Sequence, residues 1–233
     1  MLAWHFLSED KRLGYDDGRL VEVGQTLECE GEPALCSNGM HGSARLIDAL
    51  KYANGPIVCR VEIEGDVIEG EDKLCGRRRT VRWMLDATQI LHEFACTCAE
   101  DALAKVEQPD ARSVAAIEAK RKWLKGEITD EELDAAGDAS RAAARAAAWS
   151  AARAAAGAAS RAAARAAAWS AARAASRAAA RAAAWDAAGD DASDAAWAAA
   201  RAAARDDAWD GEWAKQNERL TAMVMQAHEK ESE

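Results

Sequence analysis

Two short stretches of the chain hold side chains suited to ligand binding or proton transfer. In GMHGS, His41 and Ser43 supply an imidazole, which titrates near neutral pH, and a hydroxyl, which can donate or accept a hydrogen bond. In DKLCGRRR, Lys73 precedes Arg77–Arg79, and these cations are suited to binding phosphate. Each stretch has a second interpretation: His41 as a loop histidine bonded to the backbone beside a turn, and the basic residues as a solvated turn.

The six cysteines do not follow a metal-binding or redox motif. No two of them have the C-x-x-C spacing, and Cys96 and Cys98 are predicted to lie on different faces of a helix. We therefore expect reduced, mostly buried thiols, with neither a bound metal nor a cofactor. The others are Cys29, Cys36, Cys59 and Cys75.

Charge is distributed unevenly along the 233 residues. The net charge of −10 argues against general affinity for nucleic acid or for an anionic membrane surface. Residues 139–205 nevertheless hold ten arginines against four aspartates, a net charge of +6, which leaves −16 for the rest. Because the sequence shows no run of about 18 apolar residues and no signal peptide, we expect a soluble, cytoplasmic protein.

The first part of the chain is patterned as a small α+β domain, residues 1–84, with a mixed sheet and one short helix. Residues 2–7 alternate as a strand, and Asp17-Gly18 between two alternating runs predicts a hairpin within a β-meander. Ser43 is placed to cap a helix over residues 44–53, which Asn54-Gly55-Pro56 would end. Further strands are expected over residues 57–63 and 80–83.

Residues 85–233 are predicted to form a separate all-helical domain. Apolar residues at helical spacing indicate an amphipathic helix over residues 87–102. A second helix begins near Asp110 and ends at Gly126, and the TDEE sequence beginning at Thr129 forms a capping box for a third. The C-terminal segment, with Leu220 and Val224, is expected to dock onto the resulting bundle.

An alanine-rich tract has an unusual residue at every fourth position from 141 to 213 without a slip, which is typical of repeat expansion. Alanine and arginine favour helix, and we expect antiparallel helices that form a bundle, with a single long helix as the alternative. Tryptophans would fill the seams between helices or form a partner-binding face. They are Trp149, Trp169, Trp185, Trp197, Trp209 and Trp213.

Residues 2–84 resemble an uncharacterised domain family of bacteriophages that infect high-GC bacteria. The motifs are a cysteine, G-L-H-A-S, D-A-L-x-Y-A and D-K-L, from which Met40 and Gly42 of this chain depart. The resemblance implies a phage or prophage context, and hence the cytoplasm of an infected or lysogenic bacterium, without implying an activity.

The order of strand, G-h-H-x-S, helix and strand is also similar in layout to the core of ADP-ribosyltransferases, where this segment lines a nicotinamide dinucleotide pocket. The resemblance implies that His41 and Ser43 lie at the floor of a pocket. It also implies that Asp72, Lys73 and Arg79 reach phosphate or ribose groups. Transfer would need a glutamate on a later strand, for which Glu62 and Glu69 are available.

Residues 95–156 resemble the helical domains of bacterial "putative immunity proteins", through Asp110–Trp123 and the following G-E-I. The two resemblances favour a non-catalytic, phage-type binding protein that neutralises or sequesters a host or defence protein, or a nucleotide-derived signal. An ADP-ribosyltransferase-like enzyme and a homo-oligomer built from the alanine-rich helices are the alternatives. Nucleic acid and membrane are not expected partners.

Overall fold

The computed structural model describes residues 1–14, 17–105, 107–140, 142 and 206–233, with the side chains of 206–210 excepted. Within these residues the chain divides into two compact units. The first consists of Met1–Leu91 and Asn217–Glu233, and the second of residues 92–142 and 206–216. The alanine-rich tract over residues 143–205, with its predicted bundle, lies outside the described residues.

The described part of the first unit contains seven strands and one short helix before residue 88. They are β1 (Leu2–Leu7), β2 (Thr26–Glu28), β3 (Met40–Gly42), α1 (Leu46–Leu50), β4 (Ile57–Glu64), β5 (Ile68–Glu69), β6 (Leu74–Gly76) and β7 (Arg78–Asp86).

These strands form two sheets, one with the order β1-β4-β7-β2 and one with the order β3-β6-β5. The α+β class predicted from the sequence is confirmed, but the single mixed sheet is wrong, because every pair of neighbouring strands is antiparallel. Tight turns explain the pairing of β5 with β6, since parallel neighbours need a crossover of a dozen or more residues.

The core of the first unit contains residues from both sheets. Strand β4 alternates, so Cys59, Val61 and Ile63 are fully buried in one cluster with Ala3 of β1 and Leu74 of β6. A side-chain period of two puts the residues of β1 and β4 in this cluster on one face of the large sheet, and Leu74 reaches them from the small sheet. The small sheet is therefore held against that face by apolar burial.

Helix α1 packs against β1, and the part of the C-terminal helix α5 (Asp206–Ser232) that belongs to the first unit contacts α1 and β7. The backbone N–H of Ile47 donates to Asn217 Oδ1 over 3.2 Å, and the His228 ring stacks on Trp83 with ring centroids 4.1 Å apart. Leu220 and Val224 are fully buried. The C-terminal segment thus packs within the first unit, whereas the sequence suggested that it docks onto the helical bundle.

Several local expectations differ in extent. Helix α1 is shorter than the predicted 44–53, and β7 is longer than the predicted 80–83. The Asp17-Gly18 turn is present, with Gly18 at a φ of +63°, and its described flanks pair through a bridge between Arg12 and Leu20 rather than through full strands. Backbone bonds from Leu13 N to Arg19 O, at 3.0 Å, and from Val21 N to Lys11 O, at 2.9 Å, join these flanks.

Four helices contribute to the described part of the second unit. They are α2 (Thr88–Leu103) from His92 onward, α3 (Ala111–Leu124), α4 (residues 130–140) and the first part of α5. Glu100 of α2 accepts two hydrogen bonds from the Arg121 guanidinium of α3, at 2.6 and 2.7 Å. Lys105, two residues after the end of α2, pairs with Glu212 of α5 at 3.1 Å.

The predicted boundaries of α3 and the predicted start of α4 are confirmed. Asp110 caps α3 by accepting from Arg112 N over 2.9 Å, and Gly126, at a φ of +71°, follows its end. In the capping box, Thr129 N donates to Glu132 Oε2 and Glu132 N donates to Thr129 Oγ1, over 2.9 and 3.3 Å. Both bonds satisfy backbone donors that the first turn of a helix leaves open.

Candidate functional site

The first unit contains a cavity of about 860 Å³, which we call the Arg79 cavity. Its lining comes from β1, β3, the loop between β1 and β2, and the loop before β3, with further residues from β2, α1, β7 and other loops. The polar residues that define it are Arg79, His41, Ser43, Lys73, Tyr52 and Cys36.

Arg79 is a buried cation without a carboxylate partner among the described residues. It lies on β7 and is only 3% exposed. Its Nη1 donates to the carbonyl oxygen of His41 over 2.7 Å, and its Nε has no hydrogen-bond partner among the described residues. Burial lowers the pKa of Arg79 to about 10. The guanidinium stays charged at neutral pH. The bond to one neutral carbonyl oxygen only partly replaces the hydration that it loses on burial.

His41 is neutral at physiological pH and presents a hydrogen-bond acceptor. Its Nδ1 lies 2.9 Å from the carbonyl oxygen of Gly39, which can only accept, so the proton belongs on Nδ1. The lone pair of Nε2 is buried and lacks a partner among the described residues. Burial, assisted by Lys73 and Arg79, lowers the pKa of His41.

His5 of β1 also lines the cavity. Burial lowers its pKa well below the usual range, and the charges of Arg79 and His41 lower it further. The positive charge of Arg79 thus disfavours protonation of both histidines. Arg79 itself, with a pKa of about 10, stays charged at neutral pH.

Ser43 does not cap α1, which corrects the sequence prediction. Its backbone N–H and carbonyl are used in a bridge to Trp4, at 2.9 and 2.8 Å, and α1 begins only at Leu46. The Ser43 hydroxyl is instead buried in the cavity lining with no hydrogen-bond partner among the described residues. A buried hydroxyl without a partner is costly unless a ligand or water bonds to it.

Lys73 and Tyr52 form another part of the lining. The Lys73 ammonium lies 4.5 Å from the centroid of the Tyr52 ring, and hydrogen bonds to Cys36 and Tyr52 raise the pKa of Lys73. The Tyr52 hydroxyl donates to Asp72 Oδ2 over 2.9 Å, and Lys51 donates to the same oxygen over 3.3 Å. Asp72 thus positions Tyr52 behind the lining rather than contacting the cavity itself.

The cavity also has acidic groups. Asp17 and Arg19 line it together, and Arg19 donates to both carboxylate oxygens of Asp17 at 2.6 and 2.7 Å, so this pair is internally neutral. Glu28 and Glu30 line the cavity as well. Arg79 and Lys73 therefore remain the cations whose charge these contacts do not balance directly.

The structure brings together four of the five residues singled out from the first domain: His41, Ser43, Lys73 and Arg79. Sequence reasoning missed His5, Tyr52 and Cys36. His5 left a signal, since a polar side chain falls at an otherwise inward-facing position of the β1 alternation. Of the six tryptophans, Trp213 is buried in the second unit, at 4% exposed, and the other five side chains lie outside the described residues.

Comparison with known proteins finds a similarity in the first unit. The model of the family described as "Domain of unknown function (DUF7666)" matches residues 1–93. This match covers the strands, α1 and every residue that defines the Arg79 cavity. The N-terminal part of the chain is thus similar to an uncharacterised domain. No curated protein and no solved structure matches the chain.

Metal-binding groups and membrane-spanning helices are both absent from the described residues. These residues contain no group of three histidine, cysteine or carboxylate side chains that could hold a metal ion. None of the helices in this part of the chain has the length and apolarity needed to cross a membrane.

Proposed function

We propose that the first unit binds a small anionic ligand that carries hydroxyl groups, such as a nucleotide or a sugar phosphate, in the Arg79 cavity. The observation that carries this proposal is the buried Arg79 guanidinium, which lines a cavity of about 860 Å³ and has no carboxylate partner among the described residues. The volume lies within the range of about 300–1,000 Å³ typical of small-molecule sites.

The charge of Arg79 favours an anion because burial has removed its water. A guanidinium is a planar donor that matches phosphate and carboxylate, and a charge-assisted bond is about twice as strong as a neutral one. The buried donor Nε has no partner among the described residues and is available for such a bond. An anion in the cavity would therefore recover the free energy that the unliganded protein loses by burying the cation.

The acceptors of the cavity favour hydroxyl groups on the same ligand. His41 Nε2 has a lone pair and no proton, so it can only accept a hydrogen bond. Glu28 and Glu30 also line the cavity and have carboxylates, which can only accept when ionised. A ligand with an anionic group for Arg79 and hydroxyls for these acceptors matches both kinds of group, as a phosphorylated ribose does.

Binding without group transfer fits the geometry better than the transferase alternative. Glu62 forms an ion pair with Arg82, and neither Glu62 nor Glu69 is among the residues that line the Arg79 cavity. The biological role we propose is sequestration of a nucleotide-derived signal during conflict between phage and host. The resemblance of residues 2–84 to a phage domain family supports that context.

The test measures binding to the full chain by native mass spectrometry and calorimetry. The probes are ADP-ribose, ADP, ribose 5-phosphate and inorganic phosphate, with uncharged adenosine as the control ligand. We expect at least one phosphorylated probe to bind and adenosine to bind much more weakly. Arg79→Met should weaken binding roughly tenfold or more, given the usual strength of a charge-assisted hydrogen bond.

The matched control is Arg78→Met, which removes the same charge from the neighbouring exposed position of β7. It should leave binding unchanged. Equal binding of adenosine and the phosphorylated probes, binding of none of them, or equal losses in the two variants would refute the proposal.

A further inference from the structure

Cys36 is the most accessible of the six thiols in the chain. It is exposed, Cys29 is half-buried, and Cys59, Cys75, Cys96 and Cys98 are buried. Burial raises the pKa of Cys59 to about 12 and that of Cys96 to about 11, and it also raises the pKa of Cys75. Buried thiols with raised pKa values are inert, so reactivity in the folded protein should be concentrated at Cys36.

A tight loop holds Cys36 in place. Ala34 and Asn38 pair with each other through backbone bonds of 2.7 and 3.0 Å, and the Asn38 amide donates to the carbonyl oxygens of Glu30 and Glu32. Cys36 itself has a φ of +64°, a conformation that residues other than glycine seldom adopt. The thiol is thus presented by a fixed loop of the cavity lining.

The lining of the Arg79 cavity combines this thiol with the cations of Lys73 and Arg79 and with polar groups that lack a hydrogen-bond partner among the described residues. Lys73 and Cys36 both line the cavity, and the interaction with Cys36 raises the pKa of Lys73. Ser43, which is 1% exposed, has a hydroxyl without a hydrogen-bond partner among the described residues. Arg79 Nε also lacks a partner among them. An anionic molecule attracted to these groups would be held close to the sulfur.

We propose that Cys36 is a thiol–disulfide exchange site for anionic, low-molecular-weight disulfides. The Cys36 thiol loses its proton to solvent, and its sulfur attacks one sulfur of the incoming disulfide. The S–S bond of that disulfide breaks, its second half leaves as a thiolate, and a mixed disulfide with Cys36 remains. One disulfide is exchanged for another, so no further oxidant is needed. This covalent site goes beyond the reversible binding proposed above.

The experiment compares two disulfide reagents on the folded full chain. One is 5,5′-dithiobis(2-nitrobenzoate), which carries two carboxylates, and the other is 2,2′-dithiodipyridine, which is uncharged. All proteins carry Cys29→Ser, so that the half-buried neighbour contributes nothing. We expect rapid release of one equivalent of thiolate from the anionic reagent, and intact mass and peptide mapping should place the adduct on Cys36.

Two variants test the site and the role of charge. Cys36→Ser should abolish the fast release with both reagents. Lys73→Met should slow the anionic reagent roughly fivefold, the effect of a neighbouring unit charge in a partly solvated site, and the neutral reagent less than twofold. Lys122→Met, an exposed lysine of α3 in the second unit, makes the same change in net charge and should alter neither rate.

Fast release that persists in Cys36→Ser, or an equal effect of Lys73→Met on the two reagents, would overturn the inference. These results are independent of the proposed function. A chain that binds ADP-ribose through Arg79 but has an unreactive Cys36 would retain the proposed function and refute only the exchange site. A reactive Cys36 in a chain that binds no phosphorylated probe would do the reverse.

Discussion

The guanidinium of Arg79 donates from Nη1 to the carbonyl oxygen of His41 over 2.7 Å, and this bond joins β7 of the large sheet to β3 of the small sheet. Arg79 and His41 thereby border the same cavity although 38 positions separate them in the chain. The bond occupies one donor of Arg79 and leaves the Nε donor and His41 Nε2 acceptor available to a ligand.

Replacing Arg79 should change ligand binding far more than it changes stability. Lowering the pKa of this 3% exposed side chain to about 10 corresponds to a penalty of about 3 kcal/mol against folding. The bond to His41 recovers about 1.5–3 kcal/mol. We therefore expect Arg79→Met to unfold in urea within about 1 kcal/mol of the unmodified chain without ligand, while stabilisation by a bound phosphorylated probe disappears. A large loss of stability without ligand would contradict this.

The second unit should lose stability in acid because of His92. Burial lowers the pKa of His92 to about 4, from 6.5 for an exposed histidine. Between pH 6.5 and about pH 4, His92 is therefore protonated in the unfolded chain but not in the folded chain. Stability is complete above pH 6.5 and falls by about 1.4 kcal/mol per pH unit down to about pH 4.

Urea unfolding at pH 7.5 and pH 5.0 measures this effect, with a histidine NMR titration to locate the folded pKa directly. In His92→Gln the loss on acidification should be smaller by about 2 kcal/mol. His5 and His41, whose pKa values burial also lowers, should account for part of the loss that remains. An equal loss in both proteins would show that His92 does not contribute.

The capping box of α4 should make a measurable contribution to its first turn. Thr129→Ala and Glu132→Ala each remove one of two reciprocal bonds, at 3.3 and 2.9 Å, and each should cost about 1 kcal/mol. Hydrogen exchange of the amides at the start of residues 130–140 would report the loss as faster exchange. Glu131→Ala, at an adjacent exposed position, is the control and should leave that exchange unchanged.

Two glycine-to-alanine changes should act in opposite directions. A Cβ at Gly42 would lie 2.9 Å from Ile63 Cδ1 and 3.1 Å from Ala3 Cβ, so Gly42→Ala should destabilise the first unit by about 1–3 kcal/mol. Gly211 lies in α5, and no atom of the described residues is within 4 Å of such a Cβ, so Gly211→Ala should stabilise by roughly 0.5–1 kcal/mol.

Thermal unfolding of both variants, and of Gly42→Ala combined with Ile63→Val, tests the packing argument. The smaller valine should relieve part of the crowding, so the double variant should be more stable than the sum of the two single changes predicts. Simple additivity would mean that the contact with Ile63 is not the source of the strain.

Local signals predicted the helical elements well and the sheets less well. The bonds that start α3 and α4 join residues at most three positions apart, so Asp110, Thr129 and Glu132 could be assigned from sequence alone. Ser43 was misassigned because its cap-like position competes with the bridge to Trp4, 39 positions away. That partner has no local signature, and the tertiary bridge prevailed over capping propensity.

The sequence by itself determined the alternation of β1 and β4, the boundaries of α3 and the start of α4, and the presence of histidine, serine and basic residues suited to an anion. Only the tertiary structure decided that His41, Ser43, Lys73 and Arg79 border one cavity, joined there by His5, Tyr52 and Cys36. The physical reason is that strand and helix patterns arise from neighbours a few residues apart, whereas the cavity depends on how two antiparallel sheets pack. Burial within that packing, rather than residue type, made Arg79 a desolvated cation without a carboxylate partner among the described residues.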